Sequence, residues 1–229
     1  MKKEDNPIWL FDYNQGLAYE SFSQCEDANN DIIQYLSTRF DFTNKNILEI
    51  GAGSGKFTGF LADRAASLVV VERSDSLITI NESKNRNEAI FINSSLENID
   101  FDADRFDLVF GGWSLTSMRD VFDKVYPILR NAMKKDGQII IVENAGDDEF
   151  TKIAGIEELT SRMRNFYVEC GFEEEVTLNT IIRLPNQETF FNAFPNLKMK
   201  GISLPSLEIQ HKVVIMRASA TDFRLEELI

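Results

Sequence analysis

Residues 46–55 read N-I-L-E-I-G-A-G-S-G, a short apolar run followed by three glycines at alternate positions. The apolar run predicts a buried strand, and residues 55–65 predict a helix. Glycines between a strand and a helix let the backbone turn sharply and approach a ligand, which free N–H groups at the helix N-terminus then face. The stretch therefore predicts a ligand-binding loop at the start of an α/β fold.

Apolar runs of the same kind recur after the glycine-rich stretch. Those before residue 145 are 67–72, 88–92, 106–110 and 137–143. Because they are apolar on both faces and alternate with helical patterns, they are typical of buried strands in a parallel sheet. The predicted class is α/β, with a doubly wound sheet that carries helices on both faces.

Helix signals lie between and beyond these strands. Ser74 is expected to cap a helix over residues 75–81. Pro127 is expected to divide 119–135 into two helices, the second beginning near Pro127, where the first helical turn tolerates proline. The C-terminal part predicts, in order, a helix, a strand, a short helix and a last strand, at 148–169, 173–182, 187–194 and 211–217.

One domain accounts for the 229 residues, because a sheet covered on both faces commonly reaches this size. Asp27 or Asn30 is expected to begin a helix that reaches Phe40. The expected parts of this single domain, 1–229, are an N-terminal helical lid, a ligand-binding core and a C-terminal part that completes the sheet, at 1–40, 41–146 and 147–229.

The charge balance argues against a nucleic-acid partner. The formal net charge is −13, so long-range electrostatics repel a phosphate backbone. Lys134 and Lys135 form the densest basic pair, and we expect them at a helix end just before Gly137, where cations complement the helix dipole.

Cysteine and histidine usage points to a reducing compartment and to no metal centre. Cys25 and Cys170 are far apart in the sequence, and one histidine is too few for a histidine cluster. An apolar run long enough for a membrane span or a secretory signal is absent from the sequence. The chain is expected to be cytoplasmic, without a membrane partner.

Three nucleotide-binding motifs compete for the glycine-rich stretch. The dinucleotide fingerprint G-x-G-x-x-G fails in both frames, since Lys56 and Thr58 stand where glycines are needed. A P-loop ending at Gly55-Lys56 fails as well, because Phe57 and Ile50 replace its Ser/Thr and its first glycine. The remaining pattern, acidic-x-G-x-G-x-G with Glu49 in the acidic place, resembles the first motif of class I S-adenosylmethionine-dependent methyltransferases.

The spacing of Glu72 supports the same interpretation. Glu72 ends the second strand 21 positions after Gly51, close to the usual interval of about 20 for a carboxylate that grips ribose hydroxyls. The alternative is a solvated glutamate at a strand end.

The resemblance extends along most of 46–143 and implies a Rossmann-like sheet of seven strands, mostly parallel, whose last strand is antiparallel. It implies S-adenosylmethionine as cofactor. Ser95 and Leu96 stand where the family has an acidic-plus-small pair that contacts adenine, and Glu97 is an alternative. Asp107, at the start of the fourth strand, is interpreted as structural. The cofactor-binding residues that the resemblance implies are Glu49, Gly51, Ala52, Gly53, Gly55, Glu72, Arg73, Ser95, Leu96 and Gly111.

The acceptor side is predicted from the rule that ligands of open α/β sheets lie beyond the carboxyl ends of the strands. Glu143 is the candidate base, since burial at a strand end raises the pKa of a carboxylate; the alternative is an exposed loop carboxylate. His211 is expected at the surface, at the start of the last strand. Trp113 serves either the acceptor or the core. The candidate acceptor-binding residues are Tyr13, Tyr19, Trp113, Ser114 and Asn144.

The expected function is methyl transfer from S-adenosylmethionine to a small molecule. G-G-W-S-L follows the fourth strand, where similar enzymes that methylate DNA bases carry an Asn-Pro-Pro-Tyr type motif. Two alternatives stay open at this point: methylation of a protein, for which an acidic surface suits a basic partner, and a non-catalytic protein that binds the cofactor.

Overall fold

The strands predicted from the apolar runs form one seven-stranded sheet. The computed structural model describes residues 16–85 and 89–225. The sheet order is β3-β2-β1-β4-β5-β7-β6, with β7 antiparallel to both of its neighbours and the other adjacent pairs parallel. The strands are β1 Asn46–Ile50, β2 Ser67–Glu72, β3 Ile90–Asn93, β4 Phe106–Gly112, β5 Met133–Asn144, β6 Glu173–Arg183 and β7 Glu208–Ser219.

Helices pack on both faces of this sheet. The helices are α1 Gly16–Ser23, α2 Asp31–Arg39, α3 Thr58–Ala62, α4 Asp75–Asn85, α5 Phe122–Ala132, α6 Glu149–Ala154, α7 Glu157–Glu169, α8 Gln187–Ala193 and α9 Pro195–Met199. Two 3₁₀ turns, Leu96–Asn98 and Leu115–Val121, follow β3 and β4. The doubly wound, Rossmann-like architecture and the antiparallel last strand are confirmed.

The core lies in two layers because successive side chains of a strand point to opposite faces. In β5, Ile139 and Ile141 pack in the cluster that includes side chains of α5 and α7. Ile140 and Val142 pack in the cluster that includes side chains of α2 and α3. Burial on both faces is the physical reason that the strands are continuous apolar runs.

The helix over 119–135 divides at a different residue from the one predicted. The 3₁₀ turn gives way to α5 at Phe122, so Pro127 lies inside α5. Phe122, Val125, Leu129 and Ala132 are its buried residues, spaced as on one face of a helix. Packing of this face outweighs the cost of about 3 kcal/mol for an interior proline.

The predicted helix over 148–169 is two helices. Asp148 caps α6 in a capping box with Thr151, and Gly155 ends α6 with a left-handed backbone, φ +68°. The α7 helix then begins at Glu157. Gly155 is thus a helix stop signal inside the predicted span.

Lys134 and Lys135 lie in β5 rather than at a helix end. The Nζ of Lys134 donates to Oδ1 of Asp107 at 2.6 Å, and the backbone N–H of Asn46 donates to Oδ2 of the same carboxylate at 2.8 Å. Asp107 therefore ties β1, β4 and β5 together, which confirms its structural role. The lysine prediction was wrong because α5 ends at Ala132.

The described part of the N-terminal lid contains α1 and α2. Asn30 occupies the N-cap position of α2, while the carboxylate of Asp27 accepts from the N–H groups of Asp31 and Ile32 at 2.9 and 3.0 Å. Both predicted start residues thus contribute to the helix start. In residues 16–85 and 89–225, no helix is both long and apolar enough to cross a membrane.

Candidate active site

The glycine-rich loop follows β1 directly and depends on left-handed backbone conformations. Gly53 has φ +56° and Gly55 has φ +91°. A Cβ on Gly55 would lie 2.3 Å from Oδ1 of Asn81, whereas a Cβ on Gly53 would lie 3.5 Å from the ring of Tyr19. The loop therefore packs against α4 at Gly55 and is covered by α1 at Gly53.

Glu72 ends β2 against this loop. Its Oε2 accepts from the N–H of Gly53 at 2.9 Å and its Oε1 accepts from the N–H of Ser74 at 2.8 Å. A carboxylate has about four acceptor positions, so each oxygen keeps one for a ligand. Glu72 is buried on the wall of a cavity, so the alternative of a solvated strand end is wrong.

That cavity, of about 290 Å³, lies beyond the carboxyl ends of the parallel strands. Most of the predicted site residues meet on its wall, and Gly112 joins them. The predicted residues that line it are Tyr19, Gly51, Gly53, Glu72, Arg73, Ser95, Leu96, Trp113, Ser114, Glu143 and Asn144. Tyr13 lies outside the described residues.

Four predicted cofactor residues do not line the main cavity. Glu49 and Ala52 line a neighbouring side cavity of about 20 Å³. Gly55 packs on Asn81, as described above. Gly111 is a close-packing position, since a Cβ there would lie 2.7 Å from Oγ of Ser114 and 3.3 Å from Ile50.

Glu49 supports the loop from below. It is buried, and its Oε2 accepts from Oγ1 of Thr58 at 2.7 Å, while Thr58 accepts from Nδ2 of Asn81 at 2.9 Å. Burial raises the pKa of Glu49 to about 8. Glu49 therefore joins β1 to α3 and α4 through neutral hydrogen bonds at pH 7.

Trp113 lies between the cavity and the core. It lines the cavity, and its ring also packs near Phe57 at 5.8 Å and stacks on His211 at 6.1 Å between ring centroids. Its backbone has φ +51°, a conformation that costs a bulky residue about 1–2 kcal/mol. The backbone N–H of Trp113 donates to the carbonyl oxygen of Val142 at 2.7 Å, which fixes this turn against β5.

His211 is buried, and its predicted surface position is wrong. Since β7 begins at Glu208, the histidine lies inside the strand, with its ring 4.8 Å from that of Phe150. Its Nε2 shares a hydrogen bond of 2.9 Å with Oδ1 of Asn144. Burial, aided by Lys56, lowers the pKa of His211 to about 3, so the ring is neutral and acts as an anchor for Asn144.

Glu143 is also buried, with 4% of its surface exposed, so the alternative of an exposed loop carboxylate is wrong. It accepts from the N–H of Thr116 at 3.2 Å and from Oγ1 of Thr116 at 3.0 Å. The hydroxyl of Tyr167 donates to Oε1 of Glu143 at 3.4 Å and lies 2.8 Å from Oγ1 of Thr116. Burial, opposed by these hydrogen bonds, raises the pKa of Glu143 to about 7.

The comparisons with known proteins agree with this geometry. A protein-family model described as a methyltransferase domain matches residues 48–141. A phosphoethanolamine N-methyltransferase of Zea mays is 31% identical over 125 residues, which are 51% of this chain and 25% of that protein. A putative methyltransferase of Bacillus halodurans superposes with TM-score 0.62 at 13% identity, covering 83% of this chain and 99% of that one.

The match over residues 48–141, together with the shared fold, identifies a methyltransferase domain of the class I S-adenosylmethionine-dependent type within the chain. A phosphoethanolamine N-methyltransferase of Haemonchus contortus, solved with S-adenosylhomocysteine, shares the fold at TM-score 0.58 and 14% identity, over 90% of this chain and 57% of that one. The chain matches only 25% of the length of the Zea mays relative.

S-adenosylmethionine is the cofactor of this methyltransferase domain, and the cavity suits it. The free acceptor positions of Glu72 suit ribose hydroxyls, and the glycine loop offers a surface without a Cβ. Ser95 and Leu96 line the same cavity beyond Glu72, on the side of β3. The methyltransferase thus has one continuous wall from the predicted adenine position to Glu143.

Sequence reasoning missed several residues on this wall. Thr116 and Tyr167 bind Glu143, and Glu26 reaches the cavity from the turn after α1. Tyr167 shares the buried face of α7 with Leu159 and Met163, at helical spacing, so its burial could have been predicted. Its contact with β5 could not, because α7 and β5 meet only in the folded chain.

Proposed function

We propose that this methyltransferase methylates a small-molecule amine in the cavity beyond β4 and β5. The observation that carries the proposal is Glu143, a buried carboxylate on the same cavity wall as Glu72 and the glycine loop. S-adenosylmethionine, when bound, supplies the activated methyl group. The residues of the chain then bind, orient and deprotonate the acceptor.

An amine suits Glu143 because an ammonium group must lose a proton before its nitrogen can accept a methyl group. A carboxyl group with a pKa of about 7 exchanges protons near neutral pH. Thr116 and Tyr167 fix its two oxygens, so the proton is taken up at a defined position. Tyr19, Trp113 and Tyr167 also line the cavity, and aromatic rings attract cations.

The limited volume of the cavity, about 290 Å³, supports a small acceptor. Phe150 from α6, together with Leu159 and Met163 from α7, adds apolar side chains to its wall. The plant relatives are named for an amine acceptor, phosphoethanolamine, which supports the same class. The net charge of −13 favours a cationic ligand over a phosphate backbone.

A labelled-methyl assay tests this function. The protein is incubated with S-adenosylmethionine carrying a labelled methyl group and a panel of ethanolamine, phosphoethanolamine and their N-methylated forms, with a mixture of basic proteins in parallel. We expect label in a small amine. Label in the protein fraction alone would overturn the proposal in favour of a protein methyltransferase.

We further propose a single domain over 1–229 and a cytoplasmic location. Within the described residues, Cys25 and Cys170 are free thiols, which suits a reducing compartment. Because Cys170 is buried, the protein from its source is unfolded in denaturant and alkylated with and without prior reduction: each cysteine should be labelled equally in both samples, and labelling that requires reduction contradicts the proposal.

A further inference from the structure

The turn between α1 and α2 is anchored firmly on the glycine loop. The Nζ of Lys56 donates to the carbonyl oxygens of Ser23 and Glu26 at 2.7 and 2.9 Å. On the other side of the turn, the N–H of Ala28 donates to the carbonyl of Ile181 in β6 at 2.9 Å. The position of Glu26 is thus fixed by backbone contacts from both sides.

The carboxylate of Glu26 lies on the cavity wall and has no partner in the part of the chain that the structure describes. Glu26 is 9% exposed. Within residues 16–85 and 89–225, no side chain and no backbone N–H group forms a hydrogen bond or an ion pair with its carboxylate. Burial raises its pKa to about 7, with Lys56 acting to lower it and Asp27 to raise it. Burying a carboxylate costs free energy unless a partner hydrogen-bonds to it or pairs with its charge, and a ligand in the cavity can do so.

The position of Glu26 relates it to one end of the cofactor. Ser95 and Leu96 line the cavity on the side of β3, and Glu72 lies between them and the glycine loop. If the nucleoside of the cofactor is held there, the amino-acid end of the cofactor extends across Gly53 towards Trp113. Tyr19 of α1 covers Gly53 directly, and Glu26 follows α1 on this side of the loop.

Glu49 is another carboxylate near the loop, and it is less suited to a cation. It lines the side cavity rather than the main one, and Thr58 already donates to it at 2.7 Å. Lys56 lines that side cavity too. Between these two carboxylates, Glu26 is the one that lines the main cavity and has no hydrogen-bond partner within the described residues.

We propose that Glu26 binds the α-ammonium group at the amino-acid end of S-adenosylmethionine. The lid then acts as part of the cofactor site, because the turn that follows α1 contributes the charged partner. This assignment rests on cofactor binding and is independent of the acceptor proposed above.

A binding cycle with two ligands tests the assignment. S-adenosylhomocysteine and its deaminated analogue, which keeps the carboxylate and lacks the ammonium group, are titrated into the wild type and Glu26→Gln. A charge-assisted hydrogen bond contributes about 1.5–3 kcal/mol, so we expect Glu26→Gln to weaken S-adenosylhomocysteine about 10- to 100-fold. Binding of the deaminated analogue should be unchanged within about twofold.

The controls separate this role from the alternatives. Asp31→Asn removes a carboxylate at the start of α2 that does not line the cavity, and it should bind both ligands as the wild type does. Equal losses for both ligands in Glu26→Gln would indicate a structural role and overturn the proposal. Unchanged binding of both ligands would overturn it as well, and slower methyl transfer in that variant would then place Glu26 on the acceptor.

Discussion

At the scale of single residues, the site depends on carboxylates with different partners. Glu72 is bound to two backbone N–H groups, Glu143 to Thr116 and Tyr167, and Glu49 to Thr58. Glu26 has no partner among the described residues. Each partner set suits a different use: gripping hydroxyls, exchanging a proton, supporting a loop or binding a cation.

Glu72→Ala is expected to weaken binding of both S-adenosylmethionine and S-adenosylhomocysteine by about 2–4 kcal/mol. Two ribose hydroxyls lose a charged acceptor, and charge-assisted hydrogen bonds contribute about 1.5–3 kcal/mol each before non-additivity. Calorimetric titration measures the loss. Asp75→Asn, an exposed carboxylate at the start of α4, is the matched control and should bind normally. Wild-type affinity in Glu72→Ala would exclude this nucleoside position.

Glu143→Gln is expected to slow methyl transfer at least about tenfold while cofactor affinity stays within about twofold, because general base catalysis contributes about 10²–10⁴-fold. The wild-type rate should rise with pH through about 7, as the Glu143 carboxyl loses its proton, and the variant should lack this limb. Rates at saturating cofactor between pH 5.5 and 8.5 measure both. A variant with normal turnover but weaker cofactor binding would remove Glu143 from the acceptor side.

The residues that sequence reasoning found and missed differ in one physical respect. Gly53 and Glu72 occupy fixed positions relative to strands, so strand patterning alone places them at one edge of the sheet. Thr116 lies in a 3₁₀ turn and Glu26 in an irregular turn, where no periodicity sets the direction of a side chain. Their contacts depend on the packing of α1 and α7, which no local pattern encodes.

At the scale of elements, the strands could be predicted and the helix boundaries could not. The strands are buried on both faces, which leaves a strong signal in short apolar runs. Helix ends depend on caps and single glycines, and Gly155 ends α6 within a stretch that otherwise has a helical pattern. Pro127 predicted a helix boundary that the structure does not have, because packing of the buried face of α5 outweighs the cost of an interior proline.

Asp148→Ala is expected to destabilise the protein by about 1–2 kcal/mol through loss of a helix cap. Its carboxylate accepts from the N–H of Thr151 at 2.8 Å and from the N–H of Lys212 in β7 at 3.2 Å. Denaturant unfolding measures the change. Asp147→Asn is the matched control, since the side chain of Asp147 is 87% exposed, its ion pairs with Lys152 and Lys212 lie at the surface, and asparagine tolerates the left-handed backbone at this position, φ +53°. Equal losses in the two variants would refute the capping role.

At the scale of the whole molecule, three of the buried carboxyl groups around the main cavity and its side cavity have a raised pKa. Burial raises the pKa of Glu26 and Glu143 to about 7 and that of Glu49 to about 8. The net charge of −13 adds repulsion to each further ionisation. The fold therefore accepts a cost in stability at neutral and alkaline pH to hold acidic groups where a cationic cofactor binds.

This arrangement predicts that the protein without ligand loses stability as pH rises from 6.5 to 8.5. In the unfolded chain these carboxyl groups ionise near pH 4.5, whereas in the folded chain they hold their protons until about pH 7 or 8. The folded state thus binds more protons in this window, so the free energy of unfolding falls with rising pH. His211, whose pKa is lowered to about 3 from 6.5, has the opposite effect on stability, but only below pH 6.5, where the histidine of the unfolded chain takes up a proton.

Glu49→Gln isolates the effect, because Glu49 has the highest of the three pKa values and does not line the main cavity. Denaturant unfolding at pH 6.5, 7.5 and 8.5 should show a loss of at least about 1 kcal/mol in the wild type, as expected for one pKa unit of differential protonation, and a smaller loss in Glu49→Gln. A wild-type free energy that is flat or rising across this window would show that these carboxyl groups ionise normally in the folded chain.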